Sequence, residues 1–64
     1  MNTPETLLKR LERLRAQHTA NAAASRWQAN DTVSRRIRET WAQWHALPDS
    51  AKQDPTLRAW AARL

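Results

Sequence analysis

The sequence predicts an all-α protein, a small bundle of three to four helices with a helix-turn-helix-like arrangement that is expected to self-associate. Three observations carry this. Glycine is absent, and proline occurs only at positions 4, 48 and 55, each where a helix can start or stop. Apolar residues recur at helical spacing, as in Leu7, Leu11 and Leu14 and again in Val33, Ile37, Trp41 and Trp44. The chain has 64 residues and no cysteine, so no disulfide or thiolate metal site can supplement its one small core. A chain of this size buries only about 60% of the surface its unfolded form exposes, which is why a dimer or higher oligomer is expected.

The elements follow in order within a single domain, residues 1 to 64. Thr3-Pro4-Glu5 announces the first helix: threonine can cap, proline suits the first helical position, and glutamate complements the positive helix end. Leu7, Leu11 and Leu14 fall on one stripe with Leu8 at its edge, and Lys9, Arg10 and Arg13 lie opposite. His18 continues the stripe as a packed or interface histidine. Thr19 and Asn21 break the pattern, so the helix is expected to end near residue 18. The alternative is continuation to Ala29, because "ANAAASRWQA" holds no hard stop. Asn30 and Asp31 are good caps for a new helix from Thr32. In it Val33, Ile37, Trp41, Trp44 and Leu47 share a band about 120° wide, and Leu47-Pro48 ends the run. "PDSAKQ" reads as a connector or a single turn. Asp54-Pro55 then starts a last short helix carrying Leu57, Trp60, Ala61 and Leu64. Thirteen large apolar residues are enough for one small core: these leucines, Val33, Ile37 and the four tryptophans, of which Trp27 either caps the core or lies exposed.

The charge is uneven. Residues 9 to 38 carry eight bases, seven of them arginine, against Glu12 and Asp31, whereas residues 39 to 64 carry three of each sign. Positive charge confined to one part of the chain points to a polyanionic partner, with nucleic acid first, and the guanidinium fork suits both phosphates and base edges. The bland alternative is a solvated face. No run approaches the roughly 20 apolar residues that span a bilayer. The start, "MNTPETLLKRL", lacks the layout of a secretion signal, so a cytoplasmic protein without membrane partners is expected. The leucine stripe with its basic opposite face also suits a membrane-surface helix, but the hydrophilic average argues against that.

Enzymatic chemistry has little to stand on. The two histidines, His18 and His45, have no carboxylate at metal-ligand spacing on the same helix face, and the serines form no nucleophile arrangement. With no glycine, a glycine-rich phosphate loop is excluded. No enzyme, metal, cofactor or small-molecule substrate is expected.

The informative stretch is "AAASRWQANDTVSRRIRETW", residues 22 to 41. A helix-turn-helix needs a small residue where its helices cross, apolar residues that hold the second helix, and a polar, basic exposed face. Ala23 or Ala24 supplies the first, Val33 and Ile37 the second, and Thr32, Ser34, Arg35 and Arg38 the third. Thr32-Val33-Ser34-Arg35 followed by Arg36-Ile37 resembles the start of the recognition helix in the lactose-repressor family. The longer "RRIRETWAQW" is also similar to small repressors of broad-host-range plasmids. The resemblance covers about residues 22 to 38. It implies a small dimeric plasmid or phage regulator of transcription, a repressor, in which Thr32, Ser34 and Arg35 touch duplex DNA and Arg36 and Arg38 hold phosphates. Arg26 and Asn30 complete the expected DNA surface, with Lys9, Arg10 and Arg13 as further phosphate contacts.

Two other readings fit the same residues. One is a helical hairpin or three-helix bundle serving as a protein-interaction module, an inhibitor or adaptor of a replication, transcription or defence complex. The other binds RNA or single-stranded DNA through arginines and Trp27, which lies in a polar, alanine-rich segment and could stack on a base.

Overall fold

The computed structural model describes residues 3 to 64 and is all-helical in its regular structure. Helix α1 spans Pro4–Ala23, α2 spans Trp27–Ala46, a single 3-10 turn covers Asp49–Lys52, and α3 spans Pro55–Arg63. The first and last of these begin where the sequence places them. Thr3 accepts a hydrogen bond from the Thr6 amide at 3.2 Å, and Asp54 accepts from the Thr56 amide at 2.8 Å. In both, a proline at the start of the helix spares one unpaired amide. Helix α2 stops at Leu47, whose ψ of 145° is extended, as a residue preceding proline prefers.

The chain reversal lies elsewhere than expected. Helix α1 runs through residue 18 to Ala23, and the turn expected at Asn30-Asp31 is absent, because both residues lie inside α2. No helix starts at Thr32; residues 27 to 38 are one continuous helical stretch, so the two-helix element expected across 22 to 38 does not have those bounds. The reversal is a three-residue turn, Ala24 to Arg26, closed at the end of α1 by a paired backbone lock. The Arg26 amide donates to the Asn21 carbonyl at 2.8 Å, and the Ser25 amide donates to the Ala22 carbonyl at 3.1 Å. This is the Schellman arrangement, and it requires a left-handed residue between the two donors. Ser25 takes that place with φ 57°. Helix α2 then begins at Trp27 with Arg26 as its cap residue and no side-chain cap.

The two 20-residue helices run antiparallel as a hairpin. Asn30 Nδ2 donates to the His18 carbonyl near the tip, and Arg10 donates to Gln43 Oε1 at 3.4 Å nearer the foot. The molecule is accordingly elongated, 40 × 18 × 16 Å. Its apolar core is gathered at the foot. Leu7, Leu8 and Leu11 are fully buried against Trp44 and Leu57, with Ile37, Trp41, Leu47, Trp60, Ala61 and Leu64 packed around them. Each fully buried leucine contributes about 1.5–3 kcal/mol. Helix α3 adds a polar tie: the Trp60 indole N–H donates to Glu12 Oε1 at 2.6 Å.

Toward the tip the seam between α1 and α2 becomes polar. Leu14 and Val33 are buried there, but so are Asn21 and Asn30. Asn21 Nδ2 and Asn30 Oδ1 find no hydrogen-bond partner, at a cost of about 1–3 kcal/mol for each such group. Trp27, for which the sequence left both a place capping the core and an exposed one open, is 62% exposed beside the turn. The position of the reversal explains this, because it puts residue 27 at the start of α2, beyond the last buried layer.

Replacing Ser25 by glycine relieves a left-handed conformation that costs a residue with a Cβ about 1–2 kcal/mol. After allowing for glycine's greater freedom in the unfolded chain, Ser25→Gly is expected to stabilise the fold by about 0.5–1 kcal/mol. Urea denaturation checks this: the midpoint should rise with the slope unchanged.

Candidate nucleic-acid interface

An α-helix advances about 100° per residue, so residues two apart point to nearly opposite sides. Arg13 and Arg15 on α1 therefore diverge, and so do Arg36 and Arg38 on α2. Because the helices are antiparallel, the arginines sort into two groups on opposite faces of the hairpin.

The rear face, away from α3, presents polar side chains over a buried leucine. Arg10, Arg13, Thr6 and Gln17 of α1 surround one shallow depression, and Arg10 with Arg36, Glu39, Thr40 and Gln43 surrounds the next. Leu14 lies beneath both. Three guanidiniums thus border the two depressions, and Glu39 is the one acidic side chain lining either. All three arginines are exposed, and Arg10 is steadied by its bond to Gln43. Thr32, four residues before Arg36, is exposed on the same side of α2. Thr40 is buried and donates to the Arg36 carbonyl at 2.7 Å, which satisfies its hydroxyl inside the seam.

The front face continues the channel in which α3 sits. Above α3, a groove of about 740 Å³ is lined by Arg15, His18 and Thr19 of α1, by residues of α2 from Asp31 to Trp41, and by Leu64. Arg35, Arg38 and Ser34 belong to it. The Trp41 ring stacks on His45, with centroids 6.0 Å apart and planes 26° apart.

The residues expected to touch DNA are therefore divided. Arg10, Arg13, Arg36 and Thr32 share the rear face, whereas Ser34, Arg35 and Arg38 share the front. Lys9 is exposed on the outer side of α1, one turn before Arg13. Arg26 is exposed at the tip beside Trp27. Asn30 is not a surface residue at all: it is 5% exposed and holds the His18 carbonyl at 3.2 Å. An asparagine that looks like a helix cap in sequence serves here as a bridge between helices. Three contributors were missed from the expected surface. Arg15 lines the front groove, and its signal was its place seven residues after Leu8, on the same side of α1 as that buried leucine. Gln17 and Gln43 join the rear face, and only the pairing of α1 with α2 shows that they are neighbours.

No family model, curated protein or solved structure matches this chain. Among the described residues, no three histidine or acidic side chains converge as a metal site requires, and no helix is long and apolar enough to cross a membrane.

The four indoles differ sharply in environment. Trp44 is 7% exposed, Trp41 and Trp60 are half-buried, and Trp27 is open to solvent. In variants that keep one tryptophan at a time, with phenylalanine at the others, acrylamide should quench Trp27 most and Trp44 least. Equal quenching at the two would contradict this packing.

Proposed function

We propose that the protein is a small, non-enzymatic DNA-binding module that holds the phosphate backbone of duplex DNA against its rear face. The observation that carries this reading is that Arg10 borders two adjoining depressions, with Arg13 in one and Arg36 from the other helix in the next, and that Glu39 is the one acidic side chain lining either. Charges on two rigid helices present a fixed pattern to a polyanion, and their counterions are released on binding. The chain's net charge of +5 supports the encounter by attracting DNA from a distance.

In this reading Arg10, Arg13 and Arg36 are backbone contacts, joined by Lys9 at the edge. Thr32, Gln17 and Gln43 are the polar groups available for positioning. A protein that covers duplex DNA in this way suits a regulator that blocks access to a promoter or origin, in keeping with the resemblance to plasmid repressors. Arg35 and Arg38, which that resemblance assigns to DNA, lie on the other face, so the proposed contact set is different. The rear face is favoured over the front because the front groove has an apolar floor, which a phosphate backbone cannot use.

Binding to random duplex DNA across a salt series tests the proposal. The affinity should fall steeply with salt, and each of Arg10→Ala, Arg13→Ala and Arg36→Ala should reduce the log–log slope by about 1. The same change at Arg63, far along α3, should leave the slope unaltered. A flat salt response overturns the proposal. So does single-stranded DNA outcompeting duplex, which would transfer the role to Trp27 and Arg26 at the tip.

A further inference from the structure

We propose that the front groove is the binding site of an acidic amphipathic helix supplied by a partner protein. It is a second binding surface, separate from the rear face, and it does not depend on the DNA reading.

The shape of the groove comes first. Helix α3 packs against α1 and the foot of the hairpin, and Leu64 closes the lower end of the space above it. From Trp41 to Asp31 along α2 is about 15 Å at the helical rise, or roughly three turns of an occupant lying in line with α3. The channel thus accepts one helix at its foot and has room for another toward the tip.

The chemistry of the lining then selects the occupant. Ile37, Trp41 and Leu64 form a half-buried apolar floor, continuous with the cluster that already holds α3. The Trp41 indole is held in place by its stack on His45. Arg15 stands on one wall, and Arg35 and Arg38 stand on the other. Among the described residues these three guanidiniums have no hydrogen-bond or ion-pair partner, and Asp31, at the tip end, is the one acidic side chain in the lining. A helix with an apolar stripe flanked by acids satisfies floor and walls together, which is the helix-in-groove mode of recognition. A second copy of this chain would bring the same arginines against these, and like charges in contact oppose that pairing. Nucleic acid would satisfy the walls and leave the floor unused.

The probe is a pair of synthetic peptides of identical composition, built from leucine, glutamate and alanine. In one, leucines at helical spacing form a single stripe with glutamates on both flanks; in the other, the order is shuffled so that no stripe forms. Each is titrated into the full chain and followed by calorimetry and by the Trp41 indole N–H resonance. The striped peptide should bind and shift that resonance, and the shuffled one should bind at least about tenfold more weakly, since buried apolar anchors rather than charge alone carry such contacts. Arg15→Glu combined with Arg35→Glu and Arg38→Glu should abolish binding of the glutamate peptide. The same variant should bind a striped peptide with lysine in place of glutamate, a gain that an unfolded variant would not show. Arg10→Ala, Arg13→Ala and Arg36→Ala should leave peptide binding unchanged while weakening DNA binding, so the two readings fail separately. Equal binding of both peptides overturns the proposal. So does displacement of the peptide by duplex DNA, or concentration-dependent dimerisation that shifts the Trp41 resonance without any peptide.

Discussion

The register between α1 and α2, fixed by the reversal at Ala24 to Arg26, is the constraint on which the rest of the molecule depends. The turn lies midway between His18 and Asn30 and close to midway between Arg10 and Gln43, the two pairs bonded across the seam. Moving it by one residue would turn α2 by about 100° against α1. Arg36 would then leave the side of Arg10, and Ile37 would leave the floor beside Leu64. The backbone lock through Asn21, Ala22, Ser25 and Arg26 therefore determines which charges become neighbours, although none of these residues lines either face.

Much of the architecture could be read from the sequence because it rests on local chemistry. Thr3-Pro4 and Asp54-Pro55 start helices by capping, and Leu47-Pro48 ends one by steric restriction. The leucine stripe and the Val33–Trp44 band face the interior as their spacing requires, and Leu64 joins them. The reversal could not be read in the same way. Its left-handed position is filled by Ser25 instead of the glycine that usually marks it, while Asn30 and Asp31 offer capping chemistry that the fold does not use. Asn30 satisfies the His18 carbonyl instead, a partner twelve residues away that only the folded hairpin brings near.

The same displacement of the turn explains the fate of the expected surface. The run Thr32 to Arg38 looks like one basic face when it opens a helix that lies across another. As the middle of a long helix packed lengthwise along α1, it is divided by the seam, with Thr32 and Arg36 on one side and Ser34, Arg35 and Arg38 on the other. Arginine density in sequence pointed to a polyanion as the expected partner. The distribution of those arginines over two faces depends on which residues of α1 oppose them, and that is a property of the pairing. The contrast between the faces is that Ile37, Trp41 and Leu64 stay half-exposed on the side of α3, whereas Leu14, beneath the depressions behind, is buried.

The polar seam near the tip gives the hairpin two unequal halves. At the foot, leucines and indoles from three helices interlock, so amide protons of residues 7 to 11 are expected to be the slowest to exchange with solvent. Near the reversal, two buried asparagines with unpaired atoms replace that packing, so the two helices are held together less firmly there than at the foot. Any ligand that grips both helices above Leu14 would slow exchange in the upper half selectively, so that the tip reports occupancy through its own local order while the foot stays silent.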